Sequence, residues 1–213
     1  MKIGIIGASG KAGRLILKEA VERGHEVTAL VRDALKIRNQ QINVVEKSVF
    51  DLNSQDVEKF DVVVNAFNAA PGQEDQHVEA GKVLIEALKS APQTRLVVVG
   101  GAGSLFVDEA KTLRKFNTPD FPEAYLQTAT NMGKNLDELQ STIGIQWTYI
   151  SPAGFFNPEG KRTGSYQKGK DNLILNAKGE SYISYADYAI ALLDEIENPQ
   201  HKNERFTVVA ETE

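Results

Sequence analysis

Short apolar runs alternate along the chain with longer stretches whose apolar residues recur at helical spacing. Lys2 to Ile6 is a compact apolar run ending at Gly7, and Ala12 to Arg23 then carries Ala12, Leu15, Ile16 and Ala20 on one face. Gly24 stands where a left-handed helix end is expected, and Glu26 to Val31 is again short, β-branched and apolar. The first thirty residues therefore predict one β-α-β unit. Further strands are predicted at Asn43 to Glu46, Asp61 to Asn65, Arg95 to Val99 and Gln146 to Ile150. Helical stretches fall near 54–60 and 75–91 and from about Glu123 to Ser141. Past Pro152 a glycine-rich stretch to Gly179 reads as loops, followed by a helix near Tyr185 to Ile196 and a last strand at Arg205 to Val209.

Unbroken Val and Ile runs of this length suit strands buried on both faces. Strands alternating with helices predict the class α/β, a Rossmann-type doubly wound parallel sheet with helices on both faces. In such a sheet ligands sit beyond the carboxyl ends of the strands, so chemistry is expected just after each one. The 213 residues, 41% of them apolar, suffice for one continuous core, and no repeat or linker divides them. A single domain over residues 1–213 is expected.

Gly7, Gly10 and Gly13 lie three apart between the first strand and the first helix. Each glycine has a distinct role in that context. The first permits the turn, the second admits a pyrophosphate, and the third lets helix and sheet approach. The helix head adds amide donors and partial positive charge, so Gly7, Ser9, Gly10, Lys11, Ala12 and Gly13 form the expected pyrophosphate cradle. The second strand ends in Leu30-Val31-Arg32-Asp33. An arginine there accommodates a 2′-phosphate, so Arg32, aided by Lys11, favours NADPH. If Arg32 is a surface charge and Asp33 bonds the ribose, the cofactor is NADH; Asp33 also suits a helix N-cap. Small residues at Asn65-Ala66-Phe67 and at Gly100-Gly101 end the fourth and fifth strands and, unless they are ordinary tight turns, leave room for the nicotinamide half of the cofactor. Residues 1–105 are thus expected to be mainly dinucleotide-binding, and residues 106–213 to supply acceptor-side segments, with the loops after Pro152 over the cofactor site.

The G-x-x-G-x-x-G spacing resembles the short-chain dehydrogenase/reductase superfamily in its atypical and extended branches. By that resemblance Asp51 bonds the adenine amino group, unless it caps the following helix. The superfamily's usual tyrosine and lysine, four residues apart on the helix after the fifth strand, are missing: four residues past Tyr125 stands Ala129, and Lys134 is too far along. Tyr166 and Lys170 have that spacing but lie among glycines after the sixth strand. Tyr125 and Ser104 are the remaining catalytic candidates. Ser104 would bond the nicotinamide amide or a substrate carbonyl, or serve only as a loop or N-cap serine.

The segment Ser151 to Pro158, then Gly160 to Tyr166, Gly179 to Ala189 and Asp194 to Glu197, resembles the proposed NADH-flavin reductase group, related to the biliverdin-IXβ/flavin reductases and the NmrA-like proteins. The resemblance covers nearly the whole chain. It implies NAD(P)H-dependent reduction of a flavin, quinone or similar flat acceptor, with Pro152 at the cofactor. Hydride transfer to such a ring leaves delocalised charge, so water can supply the proton and no buried acid is required. Phe155 and Phe156, with Phe106 or Tyr125, are candidates for a stacking wall against the acceptor; each also suits core packing. The alternative implied by the resemblance is a non-enzymatic redox sensor of the NmrA-like kind.

Composition removes other classes. Net charge is -5 with both signs dispersed and no basic tract, which argues against nucleic acid. The chain has no cysteine, so disulfides, thiolate nucleophiles and sulfur-ligated metals are excluded. His25, His77 and His201 have no metal-site spacing. The apolar stretch at Met1 to Gly7 is too short for a secretory signal, and no run reaches the roughly 20 apolar residues of a membrane span, so a cytoplasmic protein is expected.

Overall fold

A computed structural model describes residues 1–39 and 42–212. The chain begins with β1 (Lys2–Ile6), α1 (Lys11–Glu22), β2 (Glu26–Val31) and β3 (Asn43–Glu46). It continues through α2 (Ser54–Val57), β4 (Val62–Asn65), α3 (Gln76–Lys89), β5 (Arg95–Val99), α4 (Glu123–Ser141) and β6 (Gln146–Ser151). The last third holds β7 (Phe155–Asn157), β8 (Gln167–Gly169), β9 (Tyr182–Ser184), α5 (Tyr185–Glu197) and β10 (Glu204–Val209).

Eight strands form one sheet in the order β3-β2-β1-β4-β5-β6-β10-β8. Every neighbouring pair is parallel except β10 with β8, where Thr207 faces Gly169. Because side chains alternate across a strand, each apolar run feeds two cores at once. Ile3 and Ile5 join α1 and α5 on one face, while Ile6, Leu30 and Val63 join α3 and α4 on the other. The strand order reverses between β1 and β4, and the glycine turn after β1 opens at that point.

Local chemistry explains the ends of the elements. Helix α1 closes where Gly24, at φ 81°, donates to the Val21 carbonyl while His25 donates to Ala20, a left-handed cap that satisfies two terminal carbonyls. Helix α2 stops at Val57, short of the predicted 60. Helix α5 is headed by Ser184, whose hydroxyl accepts from the Asp187 amide at 3.0 Å. No described helix is long and apolar enough to cross a membrane.

The glycine-rich stretch read as loops is more structured than its sequence suggests. It contains β7 and β8, and β7 pairs in parallel with β9 in a small second sheet. These strands have three residues each, too few for periodicity to register. Part of the stretch also lies along α5. The buried Asp187 carboxylate accepts from Thr163 and Gly164 amides at 2.9 and 2.8 Å, and the Tyr166 hydroxyl donates to Asp194 at 2.8 Å. Tyr166 is therefore held in the α5 packing, and burial with the Asp194 carboxylate beside it keeps its phenol protonated far above the usual range.

Candidate cofactor site

The glycine turn is the best-defined feature of the sheet's carboxyl edge. Gly7 has φ 73°, its amide donates to the Leu30 carbonyl at 3.2 Å, and its carbonyl accepts from Gly10 at 2.9 Å. A Cβ on Gly7 would lie 2.4 Å from the Ala66 carbonyl oxygen, and one on Gly13 would lie 2.2 Å from the Gly7 oxygen. The chain itself forbids side chains at both positions. Gly10 differs: it is exposed, its φ of -74° suits any residue, and a Cβ would meet only the Gly7 oxygen at 3.2 Å. Helix α1 has no side-chain cap and no acid in its first turn, so the Lys11, Ala12 and Gly13 amides head it undisguised. Arg14 donates to the Ser9 carbonyl at 2.8 Å and braces the loop from outside. The cradle fits a pyrophosphate: backbone donors converge at a positive helix end, beside a glycine whose missing side chain the protein does not fill.

A cleft of about 150 Å³ opens beside this turn. Gly7, Ser9 and Gly10 form one wall, Arg32, Asp33 and Lys36 the second, and Ala66 and Phe67 the third. Arg32 is exposed and makes no hydrogen bond or ion pair with a described side chain. Asp33 is engaged: its Oδ1 accepts from the Leu35 amide at 3.0 Å, capping a single 3-10 turn at Ala34–Lys36, and Lys36 Nζ lies 3.8 Å from Oδ2. Asp51 is exposed at the end of the turn Val49–Asp51 and is not among the residues lining the cleft. It does not cap α2 either, since Asn53 does, accepting from the Gln55 amide at 3.0 Å.

Across the sheet the strand ends are filled from within. Asn65 is buried and accepts from the Phe67 amide at 3.1 Å, which shapes the turn after β4. A Cβ on Gly100 would lie 2.1 Å from the Tyr149 ring, and one on Gly101 3.2 Å from the Met132 sulfur. Tyr149, buried on β6, accepts from the Gly101 amide and donates to the Met132 carbonyl, both at 3.3 Å; burial pushes its pKa up to about 12. Pro152 is buried at the end of β6, where the Thr207 hydroxyl donates to the neighbouring Ser151 carbonyl at 3.0 Å.

The two catalytic candidates differ in exposure. Ser104 is 2% exposed, and its hydroxyl accepts from Arg205 Nη1 at 3.3 Å. Arg205 also donates to Asp171 at 2.9 Å, and Asp171 pairs with Lys111 at 3.0 Å. Ser104 thus belongs to a buried polar link that ties the loop after β5 to β10. Tyr125 is 65% exposed on the first turn of α4. Phe155 is 60% exposed beside Tyr182, whereas Phe156 is half-buried, its ring 3.9 Å from Tyr185 and 4.8 Å from Tyr188. Phe106 is half-buried and pairs with Arg114 and Asn172 rather than standing at an open surface.

The residues at this edge not singled out from the sequence include Lys36, Lys47 and Tyr185. Lys36 and Lys47 line the cleft, and Tyr185, at the head of α5, packs on Phe156. Burial, with Tyr125 acting from the head of α4, raises the Tyr185 pKa. For Lys36, its place in the turn that follows the cofactor-selecting position was an available signal. For Tyr185 there was none, because α5 and β7 meet only in the folded chain.

A parallel sheet with a bare helix head and a basic rim defines a dinucleotide-binding protein of the Rossmann class. The comparison with known families agrees: residues 7–199 match the family described as NAD(P)H-binding, and the chain belongs to it. Its cofactor is a nicotinamide dinucleotide. The protein YwnB of Bacillus subtilis (strain 168) is 69% identical over 213 residues, covering 100% of both chains. A crystal structure from Streptococcus pneumoniae TIGR4, SP1627, described as a proposed NADH-flavin reductase, is 42% identical with a TM-score of 0.94, over 99% of this chain and 100% of that one. The NAD(P)H azoreductase of Xenophilus azovorans is 26% identical over 208 residues, which is 96% of this chain and 66% of the azoreductase.

Proposed function

We propose that the protein is an NADPH-dependent oxidoreductase that reduces a flat conjugated acceptor such as a flavin, a quinone or an azo compound. The carrying observation is the division of labour at the end of β2: Arg32 is exposed and unpaired among the described residues at the cleft rim, while Asp33 is committed to capping the turn beside it. A carboxylate that selects NADH turns toward the ribose; one oxygen of Asp33 is given to the Leu35 amide, whereas the Arg32 guanidinium is wholly unengaged among the described residues. Arg32 and Lys36 then hold the 2′-phosphate, the Lys11, Ala12 and Gly13 amides at the head of α1 hold the pyrophosphate, and Ala66 and Phe67 flank the nucleoside.

When bound, the reduced nicotinamide supplies a hydride, and the acceptor takes its second hydrogen as a proton. The residues present suit an acceptor that can take that proton from water. Ser104 is turned inward to Arg205, and Tyr125 has no lysine partner four residues on. The chain's contribution is to bind and orient. Phe155 and Tyr125 offer exposed rings, and the Phe156–Tyr185 pair forms a half-buried apolar floor. The flavin and azo acceptors in the relatives' names support this acceptor class.

The test is NADPH oxidation followed at 340 nm with excess FMN, and separately with a quinone and an azo dye. Turnover on at least one is expected, with NADPH preferred over NADH. Saturable NADPH binding with no turnover on any of them would sink the reductase and leave a redox sensor.

A further inference from the structure

His77 is a buried group with no part in the chemistry proposed for the cleft. It is the second residue of α3, 7% exposed, and its Nε2 accepts from the Ala69 amide at 3.4 Å. Its ring meets Phe67 edge to face, with centroids 5.5 Å apart, and Phe67 meets Phe50 in the same way at 5.6 Å. Phe67 and its neighbours Ala66 and Asn68 form a wall of the cofactor cleft. On its other side this short loop presses on the glycine turn: the Ala66 carbonyl occupies the space where a Gly7 side chain would be. The loop after β4 is therefore held between His77 and the pyrophosphate cradle.

We propose that His77 is a positioning residue for the dinucleotide site, whose neutral imidazole holds the 66–69 loop and the Phe67 ring in the shape that receives the cofactor. The inference rests on the dinucleotide reading of the cleft. The bond from Ala69 requires an Nε2 without hydrogen, so the ring must be neutral with its proton on Nδ1. Protonation places the Nε2–H against the Ala69 N–H and removes the bond between them. That conflict pushes the loop away from His77.

The surroundings reinforce the neutral form. Burial lowers the His77 pKa below 6.5, and the carboxylate of Glu74, in the loop before α3, works in the opposite direction. Phe67, the ring His77 meets, carries no charge. Since the cleft-forming state holds the deprotonated ring, cofactor affinity is full above pH 6.5 and falls as the pH drops below it.

The experiment measures NADPH dissociation constants by fluorescence from pH 5 to 8 for the wild-type chain, His77→Gln and His77→Phe. The glutamine carbonyl can accept from Ala69 and does not titrate, so His77→Gln should bind as the wild type does at pH 8 and lose the acid-side decline. His77→Phe keeps a ring but no acceptor and should bind, at every pH, about threefold to tenfold more weakly than the wild type does at pH 8, the worth of one hydrogen bond. Equal affinity of all three variants with parallel pH profiles overturns the proposal. Amide chemical shifts in the protein without cofactor provide an independent readout. Acid titration should move Ala69, Phe67 and Gly7 together in the wild type and not in His77→Gln. Shifts confined to residues 74–80 would overturn the positioning role. If no nicotinamide nucleotide binds, the functional reading fails by itself, and these shifts still decide what His77 holds.

Discussion

Gly10 and Gly100 both stand at the carboxyl ends of central strands, yet they are bare for different reasons. At Gly100 the space of the missing side chain is filled by the Tyr149 ring, 2.1 Å from where a Cβ would be; at Gly10 it faces solvent, with 3.2 Å to the nearest atom. The half of the edge around β5 and β6 is closed by its own side chains, through Tyr149, Ser104 and Arg205. The half around β1 and β2 is left open, with uncapped helix amides and an arginine that no described side chain engages. A glycine filled by a neighbour reports on packing, whereas an unfilled one at a helix head reports on a ligand.

That contrast can be attacked directly. The largest effect is expected at Gly7→Ala, which forces a side chain into a left-handed backbone and against the Ala66 carbonyl; it should lower stability by about 3 kcal/mol in urea unfolding and abolish NADPH binding with it. Gly100→Ala should cost about 2 kcal/mol of stability through overpacking on Tyr149. Gly10→Ala should leave the unfolding midpoint nearly unchanged while weakening NADPH by about thirtyfold, on the order of 2 kcal/mol of steric conflict with the ligand. If Gly10→Ala destabilises the free protein as much as Gly100→Ala does, the two halves are alike and the comparison fails.

Smaller effects sharpen it. Arg32→Ala should weaken NADPH about tenfold more than NADH in paired titrations, and an equal loss for both would mean that Arg32 does not meet a 2′-phosphate. On the closed half, burial opposes ionisation of Asp171, but the bonds from Arg205 and Lys111 win and hold its pKa below 3.8. The stability this confers is present above pH 3.8 and is lost as the pH falls further. Asp171→Asn should therefore cost about 1 kcal/mol at neutral pH and reduce the acid sensitivity of unfolding, with NADPH affinity unchanged.

Except for the three-residue strands β7, β8 and β9, the order of strands and helices was legible, because burial on both faces leaves an unbroken apolar run and burial on one face leaves a helical stripe. Gly7, Gly10 and Gly13 were legible for the same kind of reason: their roles depend on neighbours a few residues away. Arg32 and Asp33 could be named from the chain, but that the Leu35 amide engages one oxygen of the Asp33 carboxylate was visible only in the fold. Asp51 suits a helix cap by its position, although Asn53, two residues later, satisfies the same donors. For Ser104 the chain left a cofactor or substrate role and a loop role open. Its partner Arg205 lies a hundred residues away on another strand, and no local pattern announces a guanidinium beneath a loop.

By itself the amino-acid order determined the alternating architecture and a glycine turn able to carry a pyrophosphate, because these follow from short-range sterics and the period of burial. Only the tertiary structure decided which glycines the protein fills, which of two adjacent charges remains free, and that His77 and Phe67 meet behind the cleft. Those outcomes depend on side chains from distant segments competing for the same space and the same hydrogen-bond donors, and that competition exists only once the sheet has closed.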